Sequence, residues 1–153
     1  MHILRNLRDA GLAGVLLVAM PAMATCMEVE QPNYAKQTAI AYTSQKPVRL
    51  NRNNFKSEVL ESKALVMVDF YHPDCGACIE AKPYVEGYAG EYKGRMKVGT
   101  YSIEDDSAIP GHYNVEYVPT FIFYHNGKEV DRIVGFNDEG LRKKIEQALK
   151  KIK

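Results

Sequence analysis

The stretch VMVDFYHPDCGACIEAKPY, residues 66–84, sets two cysteines three positions apart, directly after an apolar run and at the head of a segment with helical patterning. Such a pair can be a metal clip, a structural staple or a working dithiol. Side chains at i and i+3 on the first turn of a helix lie close enough to form a disulfide. Cys75 falls where backbone N–H groups point outward and the helix dipole favours negative charge, so it is the expected attacking sulfur. Cys78, one turn further in, is expected to be more buried and to attack a mixed disulfide formed on Cys75. A staple closing so short a loop would remove little entropy from the unfolded chain. Soft thiolates suit Cu(I) or Zn. A closed zinc site takes four ligands, however, and the domain supplies only Cys75 and Cys78, with His72 as a candidate third. Thiol–disulfide exchange is therefore the leading reading, and a Cu(I)- or Zn-binding module is the alternative.

The flanking sequence places this stretch in a repeating pattern. ALVMVDFY (64–71) is continuously apolar, as in a central strand buried on both faces. PVRL (47–50) and MKVGTYSI (96–103) are further strand candidates, and Pro83 interrupts the helix expected from Cys75 to about Tyr92. NRNNFKSEVLES carries Phe55, Val59 and Leu60 at helical spacing, and EDDSAIPGHYNV reads as a short helix. PTFIFYHNGKEVDRIVGF holds two β-rich runs around Asn126-Gly127, a dipeptide favoured in type I′ hairpin turns. The last helix has Leu141, Ile145, Ala148, Leu149 and Ile152 on one face, with Asn137 or Asp138 as cap. The order β-α-β-α-β-α-β-β-α predicts an α/β fold. Its sheet would be mixed but mostly parallel, flanked by helices, with an antiparallel hairpin at one edge.

Over residues 47–153 these motifs, in this order, resemble the thioredoxin family. VMVDFYHPDCGACIEAKP is similar to the family's strand, active site and kinked helix. YVPTFIFYHNGKEVDRIVGF is similar to its cis-proline segment and final hairpin, with Gly135 matching the glycine near the hairpin's end. The resemblance implies a thioredoxin-like fold and a redox-active Cys75–Cys78 disulfide that needs no metal or organic cofactor. It implies a cis bond between Val118 and Pro119, setting the Val118 backbone beside the cysteines to pair with an extended substrate. Thr120, Gly76 and Ala77 would complete the substrate-binding wall. It assigns Asp69 to proton exchange with Cys78; the bland reading is a strand-end carboxylate satisfied by local hydrogen bonds. This chain departs from the family pattern in three places. Thr100 stands where a lysine often accompanies the buried aspartate, Asp74 replaces the tryptophan before the first cysteine, and the inner pair is Gly76-Ala77. Gly76-Ala77 offers no imidazole to stabilise a reduced thiolate, which favours a reductase or mild exchanger over an oxidase. His72 either tunes Cys75 or is simply solvated in its polar turn.

At 153 residues the chain has room for one domain with a real core. A formal net charge of +1 gives no reason to expect nucleic acid as a partner. Residues 1–24 read as an export signal. Arg5 and Arg8 precede an apolar run from Ala10 to Met20, and Ala22-Met23-Ala24 offers a cleavage site before Thr25. An uncleaved anchor is the competing reading. Cleavage removes two Arg and one Asp from 20 basic and 19 acidic residues, leaving a neutral chain. Cys26 would then lie at the new N-terminus, where it is a candidate for lipidation, a free thiol or an intermolecular disulfide. Residues 25–46 show neither strand nor helix patterning and read as a flexible tail or tether. The protein is expected in the periplasm as a monomer acting on disulfide-containing proteins, with tethering through Cys26 as the alternative to free release. Its electrons would come from a thiol-reducing transmembrane protein.

Overall fold

A computed structural model describes residues 45–153. The calls on residues 1–24, on Cys26 and on most of the 25–46 tail lie outside the described residues. The element order is β1 (Val48–Leu50), α1 (Lys56–Leu60), β2 (Leu65–Tyr71), α2 (Gly76–Glu91), β3 (Met96–Ser102), α3 (Ala108–His112), β4 (Thr120–His125), β5 (Lys128–Val134) and α4 (Asp138–Lys151). The strands form one sheet in the order β1-β3-β2-β4-β5. This is the thioredoxin-like α/β fold, with a five-stranded mixed sheet flanked by helices. The pairings β1–β3 and β2–β3 are parallel, whereas β2–β4 and β4–β5 are antiparallel. The expectation of a mostly parallel sheet is corrected here, because the hairpin attaches directly to the central strand β2 and supplies half of the pairings.

Strand alternation decides what each face receives. From β2, Leu65 and Met67 join Val98, Phe121 and Phe123 in the core that packs against Ala81, Val85 and Tyr88 of α2 and Leu141 and Ile145 of α4. The intervening Val66, Val68 and Phe70 join Tyr101, Ile122 and Tyr124 on the opposite face, closed by Phe55 and Val59. Phe55 meets Tyr101 and Tyr124 edge-on, with ring centroids 5.9 Å away in each case, an arrangement that adds to plain area burial. By the same alternation Asp69 is placed on the α2 face, and its register partner on β3 is Thr100. A side chain that sequence pattern alone would call part of a buried strand is thereby directed at the helix carrying Cys78.

Two helices differ from expectation. α1 is wound as a single π-helical turn, with the Glu61 N–H reaching the Lys56 carbonyl at 2.9 Å. Before it, the Asn51 side chain accepts the N–H groups of Asn53 and Asn54, so asparagine turns occupy the first half of the segment expected to be helical. α3 is shortened to five residues, Ala108–His112, and Asp106 accepts the Ala108 N–H just before it. The hairpin turns on Asn126 and Gly127, at φ 50° and 74°, the two positive values that a type I′ turn requires. Its tip is pressed on α1, since a Cβ on Gly127 would lie 2.8 Å from the Leu60 carbonyl oxygen. In α4 the Asn137 side chain accepts the Gly140 N–H at 2.7 Å, and Leu141, Ile145, Ala148 and Leu149 are buried. Among the described residues no helix is long and apolar enough to cross a membrane.

Candidate active site

The end of β2 delivers the chain into a short polar turn, and α2 begins immediately after it. Two hydrogen bonds to His72 shape that turn: its carbonyl accepts the Cys75 N–H at 3.1 Å and its Nδ1 accepts the Asp74 N–H at 3.1 Å. The imidazole therefore orders the loop, and its contact is with the Asp74 backbone. Cys75 is the N-cap residue of α2, in extended conformation, and its sulfur accepts the Cys78 N–H at 3.3 Å. A backbone N–H aimed at a sulfur on a helix N-terminus favours negative charge on that atom. Both cysteines are free thiols; Cys75 is half-buried and Cys78 is buried. Burial first, and then the hydrogen bond with Cys75, push the Cys78 thiol up to about 12. The two sulfurs are thus unequal in access, and burial makes the Cys78 thiol costly to deprotonate.

The second wall comes from the loop entering β4. The Val118–Pro119 bond is cis, and the Cys75 thiol donates to the Val118 carbonyl at 3.6 Å. The Thr120 hydroxyl donates to the Tyr117 carbonyl at 2.6 Å, and Gly135 donates its N–H to the Pro119 carbonyl at 2.8 Å. Thr120 is therefore buried behind the wall as a brace, whereas the sequence reading placed it on the substrate side. Gly76 and Ala77 lie exposed at the start of α2, on the same rim as Cys75.

Behind the cysteines lies a cavity of about 460 Å³ whose lining includes Asp69, Cys78, Thr100, Ile79, Lys46 and Lys82. Asp69 is 3% exposed, and its Oδ1 is buried without a hydrogen-bond partner among the described residues. Burial alone pushes its carboxyl up to about 7. The local hydrogen bonds offered as the bland explanation of this residue do not reach Oδ1, and no lysine stands at its register partner, Thr100. Sequence reading missed Lys82 because it was counted only as part of a helical run, although four positions after Cys78 is one turn along the same face. Among the described residues no three His, Cys, Asp or Glu side chains cluster as a metal site would.

A half-exposed sulfur on a helix N-cap, a buried partner thiol one turn in, and a peptide carbonyl facing the first sulfur together define a thiol–disulfide oxidoreductase. Comparison with known proteins agrees. The family model described as Thioredoxin matches residues 46–147. The chain is similar to Thioredoxin M-type, chloroplastic, of Spinacia oleracea, 29% identical over 121 residues, covering 76% of this chain and 67% of that protein. It is similar to Thioredoxin 1 of Nostoc sp., 35% identical over 83 residues, covering 54% of this chain and 78% of the relative. It is also similar to the thioredoxin of Rickettsia felis, 34% identical over 87 residues, covering 57% and 83%. The chain belongs to the thioredoxin family, whose members reduce protein disulfides.

Proposed function

We propose that this protein is an exported protein-disulfide reductase in which Cys75 is the nucleophile, Cys78 the resolving thiol and Asp69 the proton acceptor. The observation that carries the reading is the setting of the Cys75 sulfur, half-exposed between the Cys78 N–H and the Val118 carbonyl. As a thiolate, Cys75 attacks one sulfur of a client disulfide, and the other client sulfur leaves as a thiol. Cys78 gives its proton toward Asp69 and attacks the Cys75 sulfur. This closes the Cys75–Cys78 disulfide and releases the second client thiol, so two electrons have passed to the client. The backbone of Val118, with Pro119, Gly76 and Ala77, presents the client to Cys75. Renewed reduction requires a thiol donor, and for an exported protein a thiol-reducing transmembrane protein fits that need.

Export rests on the residue 1–24 signal pattern, with periplasmic release, or tethering through an acylated Cys26 on the 25–46 tail, as its consequence. Reducing rather than oxidising direction rests on Gly76-Ala77, which supplies no imidazole beside the thiolate. The redox equilibrium of the full chain carrying Cys26→Ser, set against graded glutathione, tests this directly. A potential at the reducing end supports a reductase; one at the oxidising end makes the protein a disulfide-forming catalyst. Substitution separates the two thiols. Cys78→Ser should accumulate a mixed disulfide with client peptide, whereas Cys75→Ser should form none, as read by mass spectrometry. Absence of any reversible 75–78 disulfide would overturn the reading in favour of a Cu(I) or Zn site on the same two sulfurs.

A further inference from the structure

The surface around Cys75 combines apolar side chains with acidic ones. Ile79, Tyr117 and Val134 are 61%, 68% and 54% exposed, and each is tied to the reacting centre. Ile79 lies one turn after Cys75, donating its N–H to the Cys75 carbonyl at 3.0 Å. Tyr117 directly precedes Val118, whose carbonyl takes the Cys75 thiol hydrogen. Val134 is the register partner of Thr120 and precedes Gly135, which holds the Pro119 carbonyl.

Asp74 and Glu116 belong to the two segments that form that centre. Asp74 is bonded directly to Cys75, and Glu116 lies two positions before Val118; both are exposed. Neither joins any ion pair among the described residues, unlike Asp105, Glu58 and Glu91, which pair with Arg49, Lys97 and Arg142. Exposed Glu80 follows Ile79. The cations in this region, Lys46 and Lys82, line the cavity on the Asp69 side, together with Glu86. The rim met by a client strand alongside Val118 is therefore apolar and acidic, with exposed Lys46 and Lys82 on the side of the Asp69 cavity, which Ile79 also lines.

Resting on the exchange reading above, we infer that this rim selects client segments in which the attacked cysteine is flanked by basic residues and a bulky apolar side chain. A client strand paired with the Val118 backbone carries its neighbouring side chains past Asp74 and Glu116. Cationic neighbours are attracted there and acidic ones repelled, while Tyr117 and Ile79 cover the apolar side chain. Unpaired charges at a rim act mainly on encounter and on the choice between partners.

The test uses the full chain, reduced, with three disulfide-linked peptides that differ only in Lys, Gln or Glu on both sides of the cysteine. Each rate of thiol release is divided by the rate with dithiothreitol, which removes the peptide's own reactivity. At low salt the Lys peptide should react about five- to tenfold faster than the Glu peptide, and the ratio should fall toward one near about 1 M salt. The paired substitution Asp74→Asn with Glu116→Gln should bring the low-salt ratio to within about twofold of one. A wild-type ratio at or below one, or a ratio that survives the paired substitution, overturns the inference. Release from all three peptides without discrimination sinks this inference alone; release from none sinks the exchange reading with it.

Discussion

Asp69 sits where a negative charge is costly, and the cost has a definite pH window. Burial raises its carboxyl to about 7, whereas an aspartate in an unfolded chain loses its proton near about 4. The folded protein thus retains a proton that the unfolded chain releases across this interval. Stability drains away as pH rises through it, and the full penalty, at most roughly 4 kcal/mol, is present above about pH 7. Asp69→Asn should therefore leave stability nearly unchanged at about pH 4 and raise it by about 1–3 kcal/mol at about pH 8. Urea unfolding at both values checks this, and a gain independent of pH would contradict it. With Asp69 as the proposed acceptor of the Cys78 proton, the resolving step should slow as pH falls below about 7, readable as longer-lived mixed disulfide in stopped-flow quench. Thr120→Val removes the hydrogen bond to the Tyr117 carbonyl and should cost about 1–2 kcal/mol. The cysteine spacing and Asp69 were legible in sequence, because both rest on local pattern: i, i+3 on a helix start and a carboxylate inside an apolar strand. The turn-ordering role of His72 and the exposure of Tyr117 were not. Each depends on where a loop packs across a chain distance that local pattern does not sense.

Elements differ in how much of their shape is local. The hairpin could be read from Asn126-Gly127 because the turn's positive φ values are set by those residues themselves. α1 could not, because its apolar positions fit an α-helix equally well. Phe55 and Val59 are both buried in the core on the β2–β4 face, and their i, i+4 spacing suits either winding, so burial does not select the π turn. That the hairpin tip rests on the Leu60 carbonyl is a tertiary fact, and it makes a graded prediction. Gly94 and Gly127 both have positive φ, at 81° and 74°, but a Cβ at Gly94 meets nothing within 4 Å. Gly94→Ala should cost about 1 kcal/mol of backbone strain, whereas Gly127→Ala should cost about 2–3 kcal/mol because the Leu60 carbonyl must also move. Equal losses in denaturant unfolding would show that the tip contact carries no energy.

The molecule as a whole is two hydrophobic layers divided by one sheet, and the β5–α4 junction closes one side of it. There Asp131 receives Lys144 and Lys151 at 2.8 and 2.6 Å. Burial pushes Asp131 up, but these ammonium groups and the Arg132 N–H outweigh it and lower the carboxyl to about 2. A depressed aspartate stabilises the fold above about pH 4 and loses that contribution as pH falls toward about 2, opposite in sense to Asp69. The two act on neighbouring windows, so stability should peak between about pH 4 and 5 and decline on both sides. Thermal unfolding across this range reads the peak, and Asp131→Asn should flatten its acid flank while leaving the alkaline flank unchanged. This architecture was legible in the strand and helix order, whereas the even split between parallel and antiparallel pairing was not, since sequence order alone does not say which strand the hairpin joins.

Lys46 and Pro47 line the cavity that holds Asp69 and Cys78, immediately before β1 begins. The stretch where the chain enters its sheet is thus a neighbour of the buried thiol, though far from it in sequence. An environment-sensitive dye carried at position 46 would look into that cavity without touching either sulfur. Its emission would serve as an optical gauge of whether the dithiol is open or closed, in real time and without chemical trapping.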